Sequence, residues 1–230
     1  MTTGNNFNWR DFDAYLFDID GTLLNSRDAV HYHAFHHAVH HIFGCENRIE
    51  EVQVQGSTDI LIMRDVTRLA GISEEDFRSK LPQLIDEICA EVDRNQREMR
   101  PELCPSIREL LRQLHAAGKL LGVTSGNLEP IGWAKLRAAG VRDYFHFGSF
   151  SDRNETREEI FRWGASKVRE TLGPNARLCF VGDTPADVLA AKAVGEPIVA
   201  VATGIFSVEE LVEHEPELCL TCLDGLQSFA

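Results

Sequence analysis

Two aspartates at the end of a short apolar run have the spacing of a catalytic pair. Asp18 and Asp20 close the run Ala14–Asp20, which is typical of a buried strand. Residues i and i+2 of a strand point to the same side, so the two carboxylates face one small space. Their repulsion requires a cation or a proton on one of them. With a metal and a bound phosphate, one aspartate can attack phosphorus to form an aspartyl-phosphate, while the other donates a proton and later activates water.

Further carboxylates follow a second apolar run. Asp183 and Asp187 come after Leu178–Val181, in the sequence Gly-Asp-Thr-Pro-Ala-Asp. Ligands of open parallel sheets bind beyond the carboxyl ends of the strands, so these side chains are expected near Asp18 and Asp20. Several hard oxygen ligands with few histidines or cysteines nearby suit Mg²⁺ best. One pair alone would also fit a solvated strand end or a helix N-cap, and the coincidence of several strand ends favours a site.

A third polar strand end offers groups that suit phosphoryl oxygens. The apolar run Leu120–Thr124 leads into Thr124, Ser125, Gly126 and Asn127, which supply two hydroxyls, an amide and backbone N–H groups. On its own this cluster would also fit a turn or an N-cap. A phosphoryl site further needs a fixed cation to stabilise the transition state. The candidates are Arg153, Arg157, Arg162 and Lys167. Most of these four residues are expected to be ordinary charged surface residues.

Strands and helices alternate over most of the chain. Helices are predicted at Ile107–Ala117, Ile131–Ala139, Glu158–Thr171 and Ala186–Val194, and strands at Leu120–Thr124, Leu178–Val181, Ile198–Ala202 and within Tyr144–Phe150. This alternation favours a parallel sheet with crossover helices. Residues 27–100 instead have helical periodicity, with helices predicted between Asp28 and Gly44, at Ile60–Leu69 and at Glu75–Glu91. We therefore expect a helical cap domain at 27–100, inserted into a core domain of residues 1–26 and 101–230.

The order of these motifs resembles that of the haloacid dehalogenase superfamily of phosphohydrolases. The matching segments are Asp-Ile-Asp-Gly-Thr-Leu at 18–23, the apolar strand ending in Thr124, and Gly-Asp-x-x-x-Asp at 182–187. The insert after the first motif is similar to the small helical cap of phosphoglycolate phosphatase-like members. The resemblance implies an α/β fold, a Rossmann-like doubly wound parallel sheet with an inserted α-helical cap.

The resemblance also implies a role for each motif residue. Asp18 would be the nucleophile, and Asp20 would be the general acid and base, with its backbone carbonyl on Mg²⁺. Thr124 would hold the phosphoryl group, and Asp183 would bind Mg²⁺ with support from Asp187. The predicted metal residues are thus Asp18, Asp20, Asp183 and Asp187. The predicted phosphate-binding residues are Thr124, Ser125, Gly126, Asn127 and Arg157.

The cationic motif departs from the family pattern. The family usually places a lysine before the helix that precedes the last motif, whereas residues 151–161 contain no lysine. Arg157 aligns best by its distance to Ile160 and Phe161, and Arg153 is second. Arginine keeps the charge as a planar fork rather than a point, so the exchange is not neutral.

Two polar features of the insert have no role in the resemblance. Six histidines fall between His31 and His41, and most lie opposite a predicted apolar stripe. That stripe is formed by Phe35, Ala38, Val39 and Ile42. The histidines fit a polar face, metal ligands at i, i+4 spacing such as His33 and His37, or a contact with the leaving group of a substrate. Gly56–Asp59 either faces the active site or only caps the next helix.

Charge and composition limit the classes of function. Of 230 residues, 36 are Asp or Glu and 23 are Lys or Arg, and a chain of net charge −13 is repelled by nucleic acid and by anionic membranes. The polar N-terminal stretch and the shortness of the apolar runs predict a cytoplasmic protein. We expect a Mg²⁺-dependent phosphatase of a small phosphorylated metabolite. A phosphomutase of the phosphoglucomutase type, or a catalytically weak binding or regulatory homologue, could use the same residues.

Overall fold

Six parallel strands form the central sheet of the protein, which a computed structural model describes over residues 7–26, 28–46 and 48–226. The strands are β1 (Ala14–Phe17), β2 (Leu24–Ser26), β3 (Pro101–Leu103), β4 (Leu120–Thr124), β5 (Phe147–Ser149), β6 (Leu178–Gly182), β7 (Ile198–Val201) and β8 (Leu218–Leu220). The order in the sheet is β5-β4-β1-β6-β7-β8, with every pair parallel. β1 therefore lies inside the sheet, between β4 and β6.

Helices cover both faces of this sheet. The helices are α1 (Val30–Phe43), α2 (Asp59–Leu69), α3 (Glu74–Asn95), α4 (Ile107–Ala116), α5 (Glu129–Ala138), α6 (Arg157–Leu172), α7 (Pro185–Val194) and α8 (Val208–Val212). Alternate residues of a strand point to opposite faces. Tyr15 and Phe17 share a buried core with α4 and α5, whereas Ala14 and Leu16 share another with α6 and α7. The prediction of an α/β fold with a doubly wound parallel sheet is confirmed.

The helices α1, α2 and α3 build a third core outside the sheet. Phe35 and Val39 of the predicted apolar stripe are buried in it, and Leu128 and Ile131 from the start of α5 join the same core. The helical segment therefore packs directly on the sheet domain. β2 and β3 pair antiparallel as a short ribbon. β2 directly precedes residues 27–100 and β3 directly follows them, so the ribbon lies where the chain enters and leaves the predicted cap domain.

The observed elements differ from the predicted ones mainly at short strands. The aromatic run at 144–150 contains only the three-residue β5, and the strands β2, β3 and β8 and the five-residue helix α8 are not predicted. A strand of three residues gives too little alternation to be recognised. The helix ends agree within two residues, except that α3 continues to Asn95. Among the described residues, no helix combines the length and the apolar character needed to cross a membrane.

Candidate active site

The carboxyl ends of three adjacent strands meet at one edge of the sheet. Asp18 directly follows β1, Thr124 ends β4, and Asp183 directly follows β6. Because β1 lies between β4 and β6, the sheet brings these three residues together. All three are buried. The structure thus joins the three strand ends that the sequence analysis singled out.

Asp18 is a buried carboxylate with one oxygen unused. Its Oδ1 has no hydrogen-bond partner among the described residues, and its Oδ2 lies 3.5 Å from Nη1 of Arg157. Burial raises the pKa of Asp18; Arg157 opposes this shift, while Asp187 and Asp20 add to it. An unpaired buried oxygen costs free energy, so this atom is placed to meet a ligand.

Asp18, Asp183 and Asp187 form a buried carboxylate group. Each offers an oxygen, and these oxygens lie within 4.8 Å of one another. Burial, followed by repulsion from Asp18 and Asp187, raises the pKa of Asp183. Both carboxylate oxygens of Asp187 accept hydrogen bonds. Its Oδ2 accepts from N of Thr184 at 3.0 Å and from Oγ1 of Thr184 at 2.7 Å. Its Oδ1 accepts from Nη1 of Arg157 at 2.5 Å. Asp187 therefore fixes both the start of α7 and the guanidinium.

The carboxylate group fits a divalent cation. Three buried carboxylates surround the single charge of Arg157, which leaves an excess of negative charge away from water. Carboxylate oxygens are also the ligands that Mg²⁺ prefers. Gly21 lets the chain turn here with a φ of +85°, and a Cβ on it would lie 2.1 Å from Oδ2 of Asp183. The carboxylate of Asp20, also predicted as a metal residue, does not belong to this group.

Asp20 instead contacts a lysine and an amide. Nζ of Lys135 donates to Oδ1 and Oδ2 of Asp20 at 2.9 and 2.7 Å, and Nδ2 of Asn127 donates to Oδ2 at 2.7 Å. Burial raises the pKa of Asp20, but the Lys135 ammonium and the hydrogen bonds outweigh burial, so the pKa is lowered. The ionised form suits a general base, whereas a general acid needs the proton.

Lys135 is a site residue that the sequence analysis missed. It is 5% exposed, and its Nζ also donates to Oδ1 of Asn127 at 2.8 Å. Lysine is almost never buried without a partner. One feature of the sequence could have indicated its burial. Lys135 lies four residues after Ile131, and therefore on the same apolar side of α5.

The loop after β4 lies against the helical insert. Oγ1 of Thr124 is buried and has no partner in the described part of the chain. A Cβ on Gly126 would lie 2.4 Å from the carbonyl oxygen of Ser57, so only glycine lets the insert approach this closely. N of Asp59 donates to the carbonyl of Gly126 at 2.8 Å. Ser125, Gly126 and Asn127 line the cavity, whereas Thr124 lies just behind them and is fully buried.

The four candidate cations differ in where they point. Arg157 begins α6 with a side chain that is only 10% exposed, and its Nε donates to the carbonyl oxygen of Gly56 at 3.2 Å. The side chain of Arg153 is 69% exposed and pairs with a surface glutamate. Arg162 and Lys167 likewise pair with surface glutamates on α6. Arg157 is thus the one of these four that touches the carboxylate group.

A cavity of about 570 Å³ lies between the sheet and the insert. On the sheet side it is lined by Asp18, Asp20, Ser125, Gly126, Asn127, Lys135, Arg157 and Asp183. On the insert side, Gly56, Ser57 and Asp59 line it, while Oγ1 of Thr58 caps α2 by accepting from N of Leu61. The segment Gly56–Asp59 therefore both faces the cavity and starts a helix.

Among the six histidines of α1, one lines the cavity and two lie together on the outside of the insert. His31 lines the cavity, with Nε2 3.2 Å from Oδ2 of Asp59. On the outside of the insert, His37 and His41 place ring nitrogens within 4.8 Å of a carboxylate oxygen of Glu87. His31 therefore lies on the cavity wall, whereas His37 and His41 lie on the exposed side of the insert, at distances from Glu87 that a metal ion could also bridge.

The sequence and the fold match known proteins over most of their length. The family model described as haloacid dehalogenase-like hydrolase matches residues 12–195. A phosphoglycolate phosphatase from Synechococcus elongatus is 29% identical, over 94% of this chain and 96% of its own. A haloacid dehalogenase-like hydrolase from Bacteroides fragilis superposes with a TM-score of 0.70 at 19% identity, covering 94% of this chain and 100% of that chain. A β-phosphoglucomutase from Clostridium difficile gives 0.66 at 19% identity, over 94% and 93%.

The two solved structures, at their low sequence identity, show the fold alone. The family match extends over most of the chain and includes the motifs at 18–23 and 182–187. It confirms the resemblance read from those motifs and the prediction of a hydrolase. The chain belongs to the haloacid dehalogenase-like hydrolase family.

Proposed function

We propose that the protein is a Mg²⁺-dependent phosphatase that hydrolyses a small phosphorylated metabolite through an aspartyl-phosphate on Asp18. The observation that carries this proposal is Asp18 itself, a buried carboxylate on the cavity wall whose Oδ1 has no partner among the described residues. Arg157 and Asp183 lie around it. The name of the Synechococcus relative, a phosphoglycolate phosphatase, supports hydrolysis of a phosphate monoester.

In the first step, an oxygen of Asp18 attacks phosphorus and the bond from phosphorus to the ester oxygen breaks. The departing oxygen takes a proton from Asp20. Arg157 offsets the charge that develops on the phosphoryl oxygens, and the loop Thr124–Asn127 donates hydrogen bonds to them. Because the pKa of Asp20 is lowered beside Lys135, this step requires Asp20 to take up a proton from solvent when the ester binds.

In the second step, water attacks the phosphorus of the aspartyl-phosphate and the bond to Asp18 breaks. Asp20 accepts a proton from that water, and inorganic phosphate leaves. The ionised state that Lys135 and Asn127 give Asp20 is the state that this step needs. The insert forms one side of the cavity and so would limit the access of other water.

The carboxylate group would hold the metal ion. Asp18 and Asp183 would be its carboxylate ligands, and the family resemblance adds the backbone carbonyl of Asp20. Asp187, whose oxygens bind Thr184 and Arg157, would position the guanidinium rather than bind the ion directly. Bound Mg²⁺ would offset the charge of Asp18 and polarise the phosphoryl oxygens.

Lys135→Met is expected to lower kcat about 10²-fold and to change KM less than about three-fold. Lys135 holds Asp20, the proton carrier, and does not hold the phosphoryl group, so the loss should fall on kcat. Steady-state kinetics with Mg²⁺ would measure both constants, and Lys167→Met, at a half-buried lysine of α6 that pairs with Glu170, is the matched control. A rise of KM at unchanged kcat would contradict this role.

Removal of divalent metal with a chelator is expected to abolish hydrolysis, and Mg²⁺ should restore it. A ligand that binds only the folded protein stabilises it, by about 2.7 kcal/mol at a hundred-fold excess over Kd, so Mg²⁺ should also raise the Tm of the chelated protein. Asp183→Asn should lose that rise, and Asp65→Asn on the surface of α2 should keep it. Full activity in the presence of the chelator would refute the metal requirement.

Release of inorganic phosphate from a panel of phosphorylated metabolites with Mg²⁺ tests the proposed function. Transfer of the phosphoryl group to an added sugar phosphate, without release of free phosphate, would identify a phosphomutase instead. Binding without any turnover would identify a regulatory homologue. The cytoplasmic location stays a prediction.

A further inference from the structure

The side of the cavity that the insert contributes contains an apolar patch among polar residues. Phe35, Ile49, Ile62 and Met99 line it, and we call these four residues the apolar wall. Each is at most 9% exposed, so the core of the insert holds them in place. They lie opposite the sheet edge where Asp18 and Arg157 would hold a phosphoryl group.

We propose that this enzyme selects phosphate monoesters whose leaving group has an apolar body and no negative charge, and that it discriminates against leaving groups that carry a carboxylate. The inference rests on the proposed phosphatase function and concerns only the substrate class. It differs from what the name of the phosphoglycolate phosphatase relative would suggest, because phosphoglycolate carries a carboxylate on its leaving group.

Burial against the apolar wall favours one kind of leaving group. An apolar body gains free energy in proportion to the area it removes from water. A carboxylate placed there would lose its hydration without a hydrogen-bonded partner in return, which is costly. The apolar wall therefore supplies binding free energy to an uncharged leaving group and withholds it from an anionic one.

Carboxylates already stand beside the apolar wall. Asp28, Glu50 and Asp59 all line the insert side of the cavity. Asp59 is held in place, because its Oδ2 accepts from N of Leu128 at 2.8 Å, and Asp28 accepts from N of Val30 at 3.0 Å. A carboxylate on the leaving group would meet charges of its own sign at this place, and such contacts strongly disfavour the wrong ligand.

The cations among the described lining residues already have anionic partners. Lys135 is bound to Asp20, and Arg157 is bound to Asp187 and lies near Asp18. His31 sits at the border of the apolar wall, with its ring 5.0 Å from that of Phe35 and Nε2 near Asp59. A carboxylate on the leaving group would have to compete with those resident carboxylates, whereas an uncharged group need not.

The size of the cavity agrees with this assignment. At about 570 Å³ it falls in the range of about 300–1,000 Å³ typical of pockets that hold drug-sized ligands. A phosphorylated two-carbon acid would leave much of that space, and most of the apolar wall, without contact. An aromatic or longer aliphatic leaving group would fill it.

The test compares benzyl phosphate with 4-carboxybenzyl phosphate and with phosphoglycolate. The first two esters have similar leaving oxygens and differ in a remote carboxylate. With Mg²⁺ and the full chain, we expect kcat/KM for benzyl phosphate to exceed that for either carboxylate ester at least about ten-fold, the equivalent of 1.4 kcal/mol. A kcat/KM for either carboxylate ester equal to or above that for benzyl phosphate would overturn the inference while leaving the phosphatase function intact.

A pair of neighbouring glutamates supplies the matched variants. Glu50 lines the cavity, whereas Glu51 pairs with Arg48 at the surface. Glu50→Gln should narrow the preference for benzyl over 4-carboxybenzyl phosphate about three-fold, the scale of an exposed charge interaction. Glu51→Gln should leave it unchanged, and equal ratios in both variants would count against the charge argument. If the parent protein hydrolyses none of the three esters and releases no phosphate from the metabolite panel, the proposed function itself fails.

Discussion

Asp18→Asn is expected to lower the turnover of a generic aryl phosphate with Mg²⁺ by about 10⁴-fold or more, with the fold intact. The amide is nearly isosteric with the carboxylate, but it is a poor nucleophile and a weaker ligand for a hard cation. The side chain is buried and its Oδ1 has no partner among the described residues, so the exchange breaks no hydrogen bond at that atom. The loss should therefore be chemical rather than structural.

The stability of the variant separates those two explanations. Burial and nearby carboxylates raise the pKa of Asp18, which means that its charged form is disfavoured in the metal-free protein. Removal of that charge should leave the metal-free Tm unchanged or higher. Acid quenching with labelled substrate should trap phosphoryl on the parent chain and none on the variant. An Asp18→Asn protein that hydrolyses as fast as the parent would show that the mechanism is wrong.

The position of the site follows from features that a sequence displays directly. Apolar runs that end in polar residues predict parallel strands, and the carboxyl ends of neighbouring parallel strands lie at one edge by geometry. Asp18, Thr124 and Asp183 meet for that reason, since β4, β1 and β6 are adjacent. The strand order itself was not predicted from the sequence; it depends on pairings between segments far apart along the chain.

Contacts between side chains that lie far apart along the chain could not be predicted from the sequence. Lys135 and Asp20 lie 115 residues apart, and no periodic pattern links them. An isolated lysine on a helix is ordinarily a solvated surface residue. Helix α5 is buried between the sheet and the insert, and the neighbours of Lys135 on this helix are buried as well. Because this burial removes Lys135 from solvent, its ammonium group needs a carboxylate partner.

Sequence spacing limits the residue that replaces the usual lysine to two candidates, Arg153 and Arg157, and only the fold distinguishes between them. Arg153 and Arg157 lie one helical turn apart in the sequence. Thr156 caps α6, with a capping box that includes Glu159, and this cap makes Arg157 the first residue of the helix. The helix start aims Arg157 at the carboxylate group and leaves Arg153 in the preceding loop, where solvent reaches it.

Arg157→Ala is expected to lower kcat/KM about 10²- to 10³-fold, whereas Arg153→Ala should change it less than about three-fold. The guanidinium lies 3.5 Å from Asp18, 2.5 Å from Asp187 and donates to the Gly56 carbonyl, so its loss removes charge from the site and a link to the insert. Steady-state kinetics of both variants would measure the difference.

Loss of Arg157 should also destabilise the fold, because it leaves buried carboxylates uncompensated. Removal of one partner of a buried ion pair costs about 3–5 kcal/mol in the free energy of unfolding. Arg157→Lys separates the two effects: it restores the charge and much of the stability, but a point charge cannot reach Asp18, Asp187 and the Gly56 carbonyl together. Denaturant unfolding would follow stability while kinetics follow activity. If Arg153→Ala proved the more damaging substitution in a folded protein, the assignment of Arg157 to the phosphoryl site would fall.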